Sequence, residues 1–316
     1  MQEMLTTATD WYASTGAIAM GEILHAGLAI LAYVFVGNLI LRPTYSLRAK
    51  TALFAVFNLS AAFLFYFGIT GTYLEGYDYQ RGVVLQFVGY AAFACAHWLL
   101  VAAVSRWQQR SALYWAALLY PIIPLIVVKI ETVWHLIGFS YMAFRMAQAA
   151  LEVRRTPDLK ISFSGYAAFL FFPLTIPIGP ISPYGTFVRG VQNGVAPSFV
   201  SIGRGLARIA LGYVMFRLFA TYAYQFSYGG MWEDGFTHGV GDALLASYGS
   251  LGYLYFNFAG FTHVVIGAAT LMGIPVKENF NSPILSRSIK EFWTRWHISL
   301  SEFVRDLVYT PLATSI

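Results

Sequence analysis

Residues 243–273 read ALLASYGSLGYLYFNFAGFTHVVIGAATLMG and contain no Asp, Glu, Lys or Arg. A helix that crosses the hydrocarbon core of a bilayer needs about 20 consecutive apolar residues. This stretch is longer than that, and no proline interrupts it. It therefore predicts a membrane-spanning helix.

The composition extends this conclusion to the whole chain. Of the 316 residues, 58% are hydrophobic and only 11% are charged, and the mean hydropathy is +0.59. A soluble globule with so few polar groups could not cover its apolar surface. A soluble enzyme, a secreted disulfide scaffold and a coiled coil are therefore excluded, and Cys95, the single cysteine, excludes an intrachain disulfide. The predicted fold class is all-α, a polytopic bundle of membrane helices.

Further apolar stretches predict the other spans of the bundle. They cover residues 17–41, 51–70, 82–105, 111–128, 132–150 and 205–225. The intervening loops alternate between rich and poor in Lys and Arg, which sets the orientation under the positive-inside rule. The loops near 42–50, 106–110, 151–163 and 274–295 are predicted to be cytoplasmic, with the N-terminus outside. The net charge of +5 is therefore interpreted as a topology signal in a cell inner membrane, and not as a nucleic-acid-binding surface.

One apolar segment cannot form a regular helix. Residues 169–184 read FLFFPLTIPIGPISPY, and each proline lacks the N–H group that a helix needs. Irregular backbone at membrane depth survives only where protein or a water-filled cavity surrounds it. Because both flanks are basic, we interpret this stretch as a re-entrant segment that lines a cavity with Pro177, Gly179 and Pro180. An interfacial loop is the alternative.

The last part of the chain predicts a helix that is too charged to span the membrane. Between residues 289 and 307, apolar side chains recur with the spacing of one helix face, and charged side chains lie largely off that face. Ser288 and Glu291 fit a capping box at its start. We expect this amphipathic helix on the cytoplasmic side, in the interface or packed under the bundle.

His297, at the edge of that apolar face, is a candidate general base. Imidazole is the only side chain whose unperturbed pKa lies near neutrality, so it can take a proton from a hydroxyl group as the oxygen attacks an acyl carbonyl. A polar residue at the rim of an amphipathic helix is the alternative. His263, inside the stretch 243–273, is a further candidate for the lining of the same cavity, and a hydrogen-bonded packing role is its alternative.

Three motifs, in order along the chain, resemble the signature of the membrane-bound O-acyltransferases. The most specific is FWTRWHISLS at 292–301, which follows ENFN at 278–281 and SRSI at 286–289 and precedes VRD at 304–306 and YTPL at 309–312. The run FNFAGF at 256–261 and the pattern FFP…GPI at 171–181 match in kind and in order. The resemblance is closest to the bacterial branch that modifies polysaccharides, by alginate O-acetylation or teichoic acid D-alanylation.

The resemblance implies spanning helices around a tunnel, an acyl donor from the cytoplasm and a hydroxyl acceptor outside. Acetyl or D-alanyl would pass from a thioester, on acyl-CoA or an acyl-carrier protein, to a polysaccharide, with an extracytoplasmic acetylation or D-alanylation partner protein. His297 falls on the histidine of the family's RWH motif and is the implied catalytic residue. Asn279, Trp293, Arg295 and Trp296 fall on motif positions and are the implied donor- or substrate-binding residues. No bound cofactor and no metal site are expected.

Two departures from the family pattern concern the site. Asn257 stands where relatives often have Asp, with Ala259 for Ser and Phe261 for Tyr, which removes a negative charge and two hydroxyl groups. The family's downstream histidine, in a W-H-G setting, has no counterpart in this sequence. We therefore expect residues 1–316 to form a single transmembrane acyltransferase-like domain that is incomplete at its C-terminal end.

Two other classes of protein fit parts of the pattern. A transporter or flippase of an acyl-donor export system also contains broken apolar helices, although transport does not require the RWH motif. A non-catalytic scaffold would keep only carrier or partner contacts, for which a basic cluster in and before the motif is a candidate. The members of this basic cluster are Lys277, Arg287, Lys290 and Arg295. Positive-inside topology explains these four residues equally well.

Overall fold

The structure is a computed structural model that describes residues 20–73, 79–130, 138–194, 197–233 and 239–310. Within these ranges the chain is helical, and extended pairing is limited to one bridge between Phe280 and Trp296. Five helical stretches are long and apolar enough to cross a membrane. They are Leu47–Phe65, Val84–Arg106, Ser111–Ile130, Phe199–Gln225 and Val240–Leu271. The prediction of an all-α, multi-pass membrane protein is confirmed.

Thirteen α-helices are present in the described ranges. In chain order they are α1 (Met20–Ile40), α2 (Leu47–Tyr73), α3 (Tyr79–Arg106), α4 (Ser111–Ile130), α5 (Phe139–Arg155), α6 (Phe163–Leu170), α7 (Tyr184–Asn193), α8 (Phe199–Val214), α9 (Ala220–Gln225), α10 (Tyr228–Glu233), α11 (Val240–Leu271), α12 (Ile289–Arg295) and α13 (Ile298–Val304). Turns of 3₁₀ helix cover Pro173–Thr175 and Pro283–Leu285, and π-helical turns cover Met215–Phe219 and Arg305–Tyr309.

Five of the predicted spans coincide with candidate membrane helices of the structure, and two remain predictions. The span 17–41 begins outside the described residues, and the described apolar part, Gly27–Ile40, is shorter than a full span. The span 132–150 also begins outside them, at residues 132–137. Its remainder lies in α5, which is largely buried and carries three arginines.

The chain divides into two compact units, of which the first comprises Met1–Val36 and Phe199–Leu271. In this unit the backbones of α8 and α11 lie close together. A Cβ atom added to Gly267 would lie 2.7 Å from the carbonyl oxygen of Gly205, and one added to Gly260 would lie 2.7 Å from that of Gly212. Small residues permit such close packing between membrane helices. The glycines within the two apolar stretches therefore bring these spans into direct contact.

The second unit comprises Gly37–Ser198 and Met272–Ile316, and aromatic rings fill its core. Three buried phenylalanine rings have centroids 5.2 to 6.5 Å apart. They are Phe54 on α2, Phe172 in the irregular segment 169–184 and Phe187 on α7. Burial of rings at these separations combines apolar area with favourable ring geometry. This core supports the irregular segment, because Phe172 is one of its residues.

His97 shows how this unit holds a buried polar side chain. The imidazole on α3 is fully buried, and its Nε2 lies 2.8 Å from the carbonyl oxygen of Ala117, to which it donates. Its Nδ1 therefore accepts from the hydroxyl of Tyr166, at 2.6 Å. Both ring nitrogens are satisfied, so His97 connects α3, α4 and α6 and is a structural residue.

Candidate functional site

The proline-rich segment 169–184 is irregular, as predicted, and protein surrounds most of it. Helix α6 ends at Leu170, one 3₁₀ turn follows, and regular helix resumes only at Tyr184. Gly179 and Pro180 are buried and Pro177 is half-buried. The prediction that the segment enters and leaves on one face of the membrane stays a prediction.

Arg145 holds the first part of this segment. Its guanidinium donates to the carbonyl oxygen of Leu170 at 3.2 Å and to the hydroxyl of Thr175 at 2.8 Å, and it lies 4.4 Å from the ring centroid of Phe169. The side chain is only 3% exposed. This role of Arg145 is not among the predictions made from the sequence. An arginine inside an apolar stretch predicted to span was the signal that could have found it, because such groups are costly to bury and are retained for a reason.

The motif segment forms two helices, so the prediction of one amphipathic helix over 289–307 is wrong in this respect. Helix α12 ends at Arg295, and α13 begins at Ile298. Between them His297 adopts the left-handed conformation, with φ 44° and ψ 53°. Ser288 is confirmed as the cap at the start, because its Oγ accepts from the amide of Glu291 at 3.1 Å. The carboxylate of Glu291 accepts from the amide of Arg287 at 2.8 Å, one residue before the amide that a capping box pairs.

The break arises because a segment upstream supplies backbone hydrogen bonds. The amide of Ile298 donates to the carbonyl oxygen of Asn279 at 2.9 Å, and the amide of Asn281 donates to that of Arg295 at 3.0 Å. Backbone groups must be paired when they are buried, and these two bonds replace helical ones. The non-glycine residue with positive φ that results, His297, is strained, and such strain clusters at functional sites.

The two halves of the motif also differ in burial. On α12, Ile289 is 73% exposed and Trp293 is 56% exposed. On α13, Phe303 is 4% exposed and belongs to one core cluster with Ile181 of the irregular segment. A single straight helix could not present both groups in this way. The apolar period of the sequence therefore continues through two helices with different surroundings.

Ser299 joins the irregular segment to the motif. Its hydroxyl donates to Asn279 Oδ1 at 2.5 Å and accepts from the amide of Ile181 at 3.0 Å. A second connection runs from the amide of Lys277 to the hydroxyl of Ser182, at 3.1 Å. Asn279 is 0% exposed and Ser299 is 1% exposed. Two stretches about 100 residues apart in sequence, both singled out by their motifs, therefore meet beside His297.

Burial determines the charge of the imidazole at this position. His297 is half-buried, and desolvation lowers its pKa from 6.5 to about 4. At neutral pH the ring is therefore uncharged and has a lone pair that can accept a proton. This is the protonation state that a general base needs.

The other predicted site residues lie around His297 in different environments. Trp296 is half-buried and its ring stacks on that of Phe292, with centroids 5.4 Å apart. Arg295 forms an ion pair with Glu291 at 2.7 Å. Trp293 is exposed, as given above. Their roles in donor or substrate binding stay predictions, as does the role of the buried Asn279.

The role of the predicted cavity-lining residues is not tested by the structure. A small apolar cavity of about 20 Å³ lies against the irregular segment, where Phe171 and Ile176 line it. Pro177, Gly179 and Pro180 are not among its lining residues, and their role stays a prediction. His263 lies on α11, in the first unit, and its role stays a prediction too. Within the described parts of the chain, no three His, Cys, Asp or Glu side chains converge as a metal site would require.

Replacement of Ser299 by Ala is expected to lower the free energy of unfolding by about 2 kcal/mol, because buried groups at Asn279 and Ile181 each lose a hydrogen bond. The measurement is the thermal midpoint of the purified protein in detergent. Ser301→Ala is the matched control, since that hydroxyl makes only a 3.4 Å contact with the carbonyl oxygen of Trp293 near the surface. Equal midpoints for the two variants would contradict the bridging role of Ser299.

Comparisons with known proteins give similarity over most of the chain. The family model of MBOAT, the membrane-bound O-acyltransferase family, matches residues 80–316. The chain is 35% identical over 182 residues to the teichoic acid D-alanyltransferase of Bacillus subtilis, covering 55% of this chain and 44% of that protein. It is 33% identical over 181 residues to the probable alginate O-acetylase AlgI of Pseudomonas putida, covering 56% and 36%.

A third relative aligns with a larger share of the chain than these two do. The teichoic acid D-alanyltransferase of Lacticaseibacillus rhamnosus is 27% identical over 247 residues, covering 70% of this chain and 59% of that protein. The chain thus spans about half the length of the curated relatives that it matches.

Proposed function

Because the chain belongs to the membrane-bound O-acyltransferase family, we propose that it transfers a small acyl group from a thioester to a hydroxyl group of a polysaccharide or related acceptor. Acetyl and D-alanyl are the acyl groups proposed, since the relatives are named as an O-acetylase and as D-alanyltransferases. The acceptor is proposed to lie outside the cell's inner membrane and the donor in the cytoplasm. The charge of the loops supports this orientation, with the N-terminus outside.

The observation that carries the proposal is the half-buried imidazole of His297, which lies in the left-handed turn between α12 and α13. In the proposed step, a ring nitrogen takes the proton of the acceptor hydroxyl as its oxygen bonds to the thioester carbonyl carbon. The C–S bond then breaks, and the departing thiolate takes the proton from the imidazolium. The products are an ester and a thiol, and the imidazole is regenerated. Partial burial limits water, which competes as a nucleophile.

The donor is proposed to be acyl-CoA or an acyl-carrier protein, with no cofactor that stays bound. Two members of the basic cluster are engaged within the chain, Lys277 with Glu302 and Arg295 with Glu291. Arg287 and Lys290 are exposed and form no ion pair with another described residue. These two side chains are therefore proposed to meet the acidic surface of a carrier protein.

The remaining site proposals follow the position of each residue. Trp293, exposed on α12, and Trp296 are proposed to contact the donor. The buried side chain of Asn279, which accepts from Ser299, is proposed to support the site. Pro177, Gly179, Pro180 and His263 are proposed to line the acyl passage. An extracytoplasmic partner protein is proposed to pass the acyl group on to the polymer.

The test is an acyl-transfer assay with the protein reconstituted in lipid vesicles. A radiolabelled acetyl or D-alanyl thioester is supplied on one side and a polysaccharide acceptor on the other. Ester-linked label on the acceptor is the expected result. Label that crosses the bilayer with its thioester intact would favour a transporter or flippase instead. Label that neither crosses nor reacts, with donor bound, would favour a scaffold.

The rate of transfer should depend on pH through His297. The neutral ring is the active form, and its lowered pKa keeps it neutral until the pH approaches about 4. We therefore expect kcat/KM to stay constant from neutral pH down to about pH 5.5 and to fall with a midpoint near pH 4. A midpoint near 6.5, the value for an exposed histidine, would contradict the burial of the ring in the working enzyme.

A further inference from the structure

The loop 107–110 joins two candidate membrane helices, α3 and α4. It contains only four residues, and the spans on either side end at Arg106 and begin at Ser111. A loop this short between two spans lies at the bilayer surface, where lipid headgroups are found. The loop is also one of those predicted to face the cytoplasm. We therefore expect its side chains to lie in the headgroup layer.

A hollow of about 610 Å³ lies at this loop. Residues 105–110 form most of its wall, and Pro157 from the connection between α5 and α6 completes it. Gln108 Nε2 donates to the carbonyl oxygen of Pro157 at 3.1 Å, which ties the two connections together. The hollow is therefore built from two fixed segments of the second unit.

Two guanidinium groups lie near the exposed indole in this hollow. The Cζ atoms of Arg106 and Arg110 lie 5.9 and 5.8 Å from the ring centroid of Trp107, which is 49% exposed. Cation–π contact holds a guanidinium over a ring while its N–H groups stay available at the edge. Among the described residues, neither arginine forms an ion pair with a carboxylate. Asp158, adjacent to Pro157, is the one acidic residue in the connection 156–162, which also carries Lys160.

We infer that this hollow, the Arg106–Trp107–Arg110 site, binds the phosphate of an anionic phospholipid headgroup. A guanidinium group matches the charge of a phosphate and donates charge-assisted hydrogen bonds to it, and two of these groups line the hollow. The position at the bilayer surface selects a lipid over a soluble phosphate.

The helices beside the site offer surface for the acyl chains of such a lipid. Leu99 on α3 is 61% exposed and Trp115 on α4 is 51% exposed. Both lie within two or three turns of the loop, on helices that cross the apolar core of the bilayer. The arginines therefore match the charge of a lipid headgroup, and the exposed apolar side chains match its acyl chains. A free anion would need only the arginines. This inference does not depend on the proposed acyl-transfer activity.

The experiment titrates the purified full chain in detergent with dioctanoyl phosphatidylglycerol and follows the thermal midpoint, which rises when a ligand binds the folded state. Dioctanoyl phosphatidylcholine and inorganic phosphate are titrated in parallel. In the wild type we expect a saturable rise with phosphatidylglycerol alone. In Arg106→Gln/Arg110→Gln the apparent Kd should weaken about tenfold or more, because charge-assisted hydrogen bonds are lost.

Two further variants distinguish binding at this site from a general effect of positive charge on the protein surface. Arg42→Gln/Arg48→Gln removes two exposed arginines from another predicted cytoplasmic loop and should leave the Kd unchanged. Arg106→Lys/Arg110→Lys keeps the charge but not the planar fork, and its Kd should weaken about threefold or more. Wild-type affinity in either Arg106/Arg110 variant would overturn the inference. An equal response of the wild type to inorganic phosphate or to phosphatidylcholine would overturn it as well.

Discussion

Replacement of His297 by Asn is expected to lower the rate of acyl transfer by about 10²- to 10⁴-fold, which is the usual contribution of a general base. Asparagine is chosen because it tolerates the left-handed conformation that the backbone has at this position. Its amide cannot accept a proton at neutral pH. The substitution therefore removes the chemistry and keeps the turn between α12 and α13. The measurement is ester formation on the acceptor in reconstituted vesicles.

Two controls make the His297 result specific. The thermal midpoint and membrane insertion of His297→Asn should stay close to those of the wild type, since the backbone bonds around residue 297 are retained. Ser301→Ala, four residues further on and nearer the surface, should transfer acyl groups at the wild-type rate. Undiminished transfer in His297→Asn would remove this residue from the mechanism.

Replacement of Arg145 by Met is expected to lower the free energy of unfolding by about 3 kcal/mol. Hydrogen bonds from a charged donor contribute about 1.5–3 kcal/mol each, and this guanidinium makes one with the carbonyl oxygen of Leu170 and one with Thr175. Methionine preserves apolar contact with Phe169 but makes neither bond. The measurement is the thermal midpoint in detergent, which should fall by several degrees.

The matched control for Arg145 is Arg42→Met. Arg42 is exposed, and surface substitutions usually change stability by less than about 0.5 kcal/mol. The comparison separates the loss of buried hydrogen bonds from the loss of one positive charge. If both variants unfold at the same temperature, Arg145 does not hold the irregular segment.

The features that the sequence predicted well are local ones. The irregular backbone at 169–184 follows from prolines, each of which lacks its own N–H group. The cap at Ser288 follows from a hydroxyl group and a carboxylate three residues apart. Membrane spans follow from uninterrupted apolar stretches. In each case the cause and the effect lie within a few residues of each other, so no knowledge of the tertiary structure is needed.

The features that were not predicted from the sequence depend on residues that are distant in the chain. The apolar period from 289 to 307 is continuous, and nothing in it indicates a break at His297. The break requires Asn279 and Asn281, whose backbone groups pair with Ile298 and Arg295. The role of Arg145 likewise requires Thr175, 30 residues further on. A periodicity reports which side of a helix is apolar, but not which backbone groups another segment will engage.

The contact between α8 and α11 has a consequence for how this protein can diverge over evolutionary time. Four glycines in two spans leave no room for a methyl group on either side. A change at any one of them separates the helix pair before the opposite position can compensate. Substitutions at these four glycines are therefore expected to accumulate slowly. On the lipid-facing surfaces of the same two spans, one apolar residue can replace another with little effect on packing.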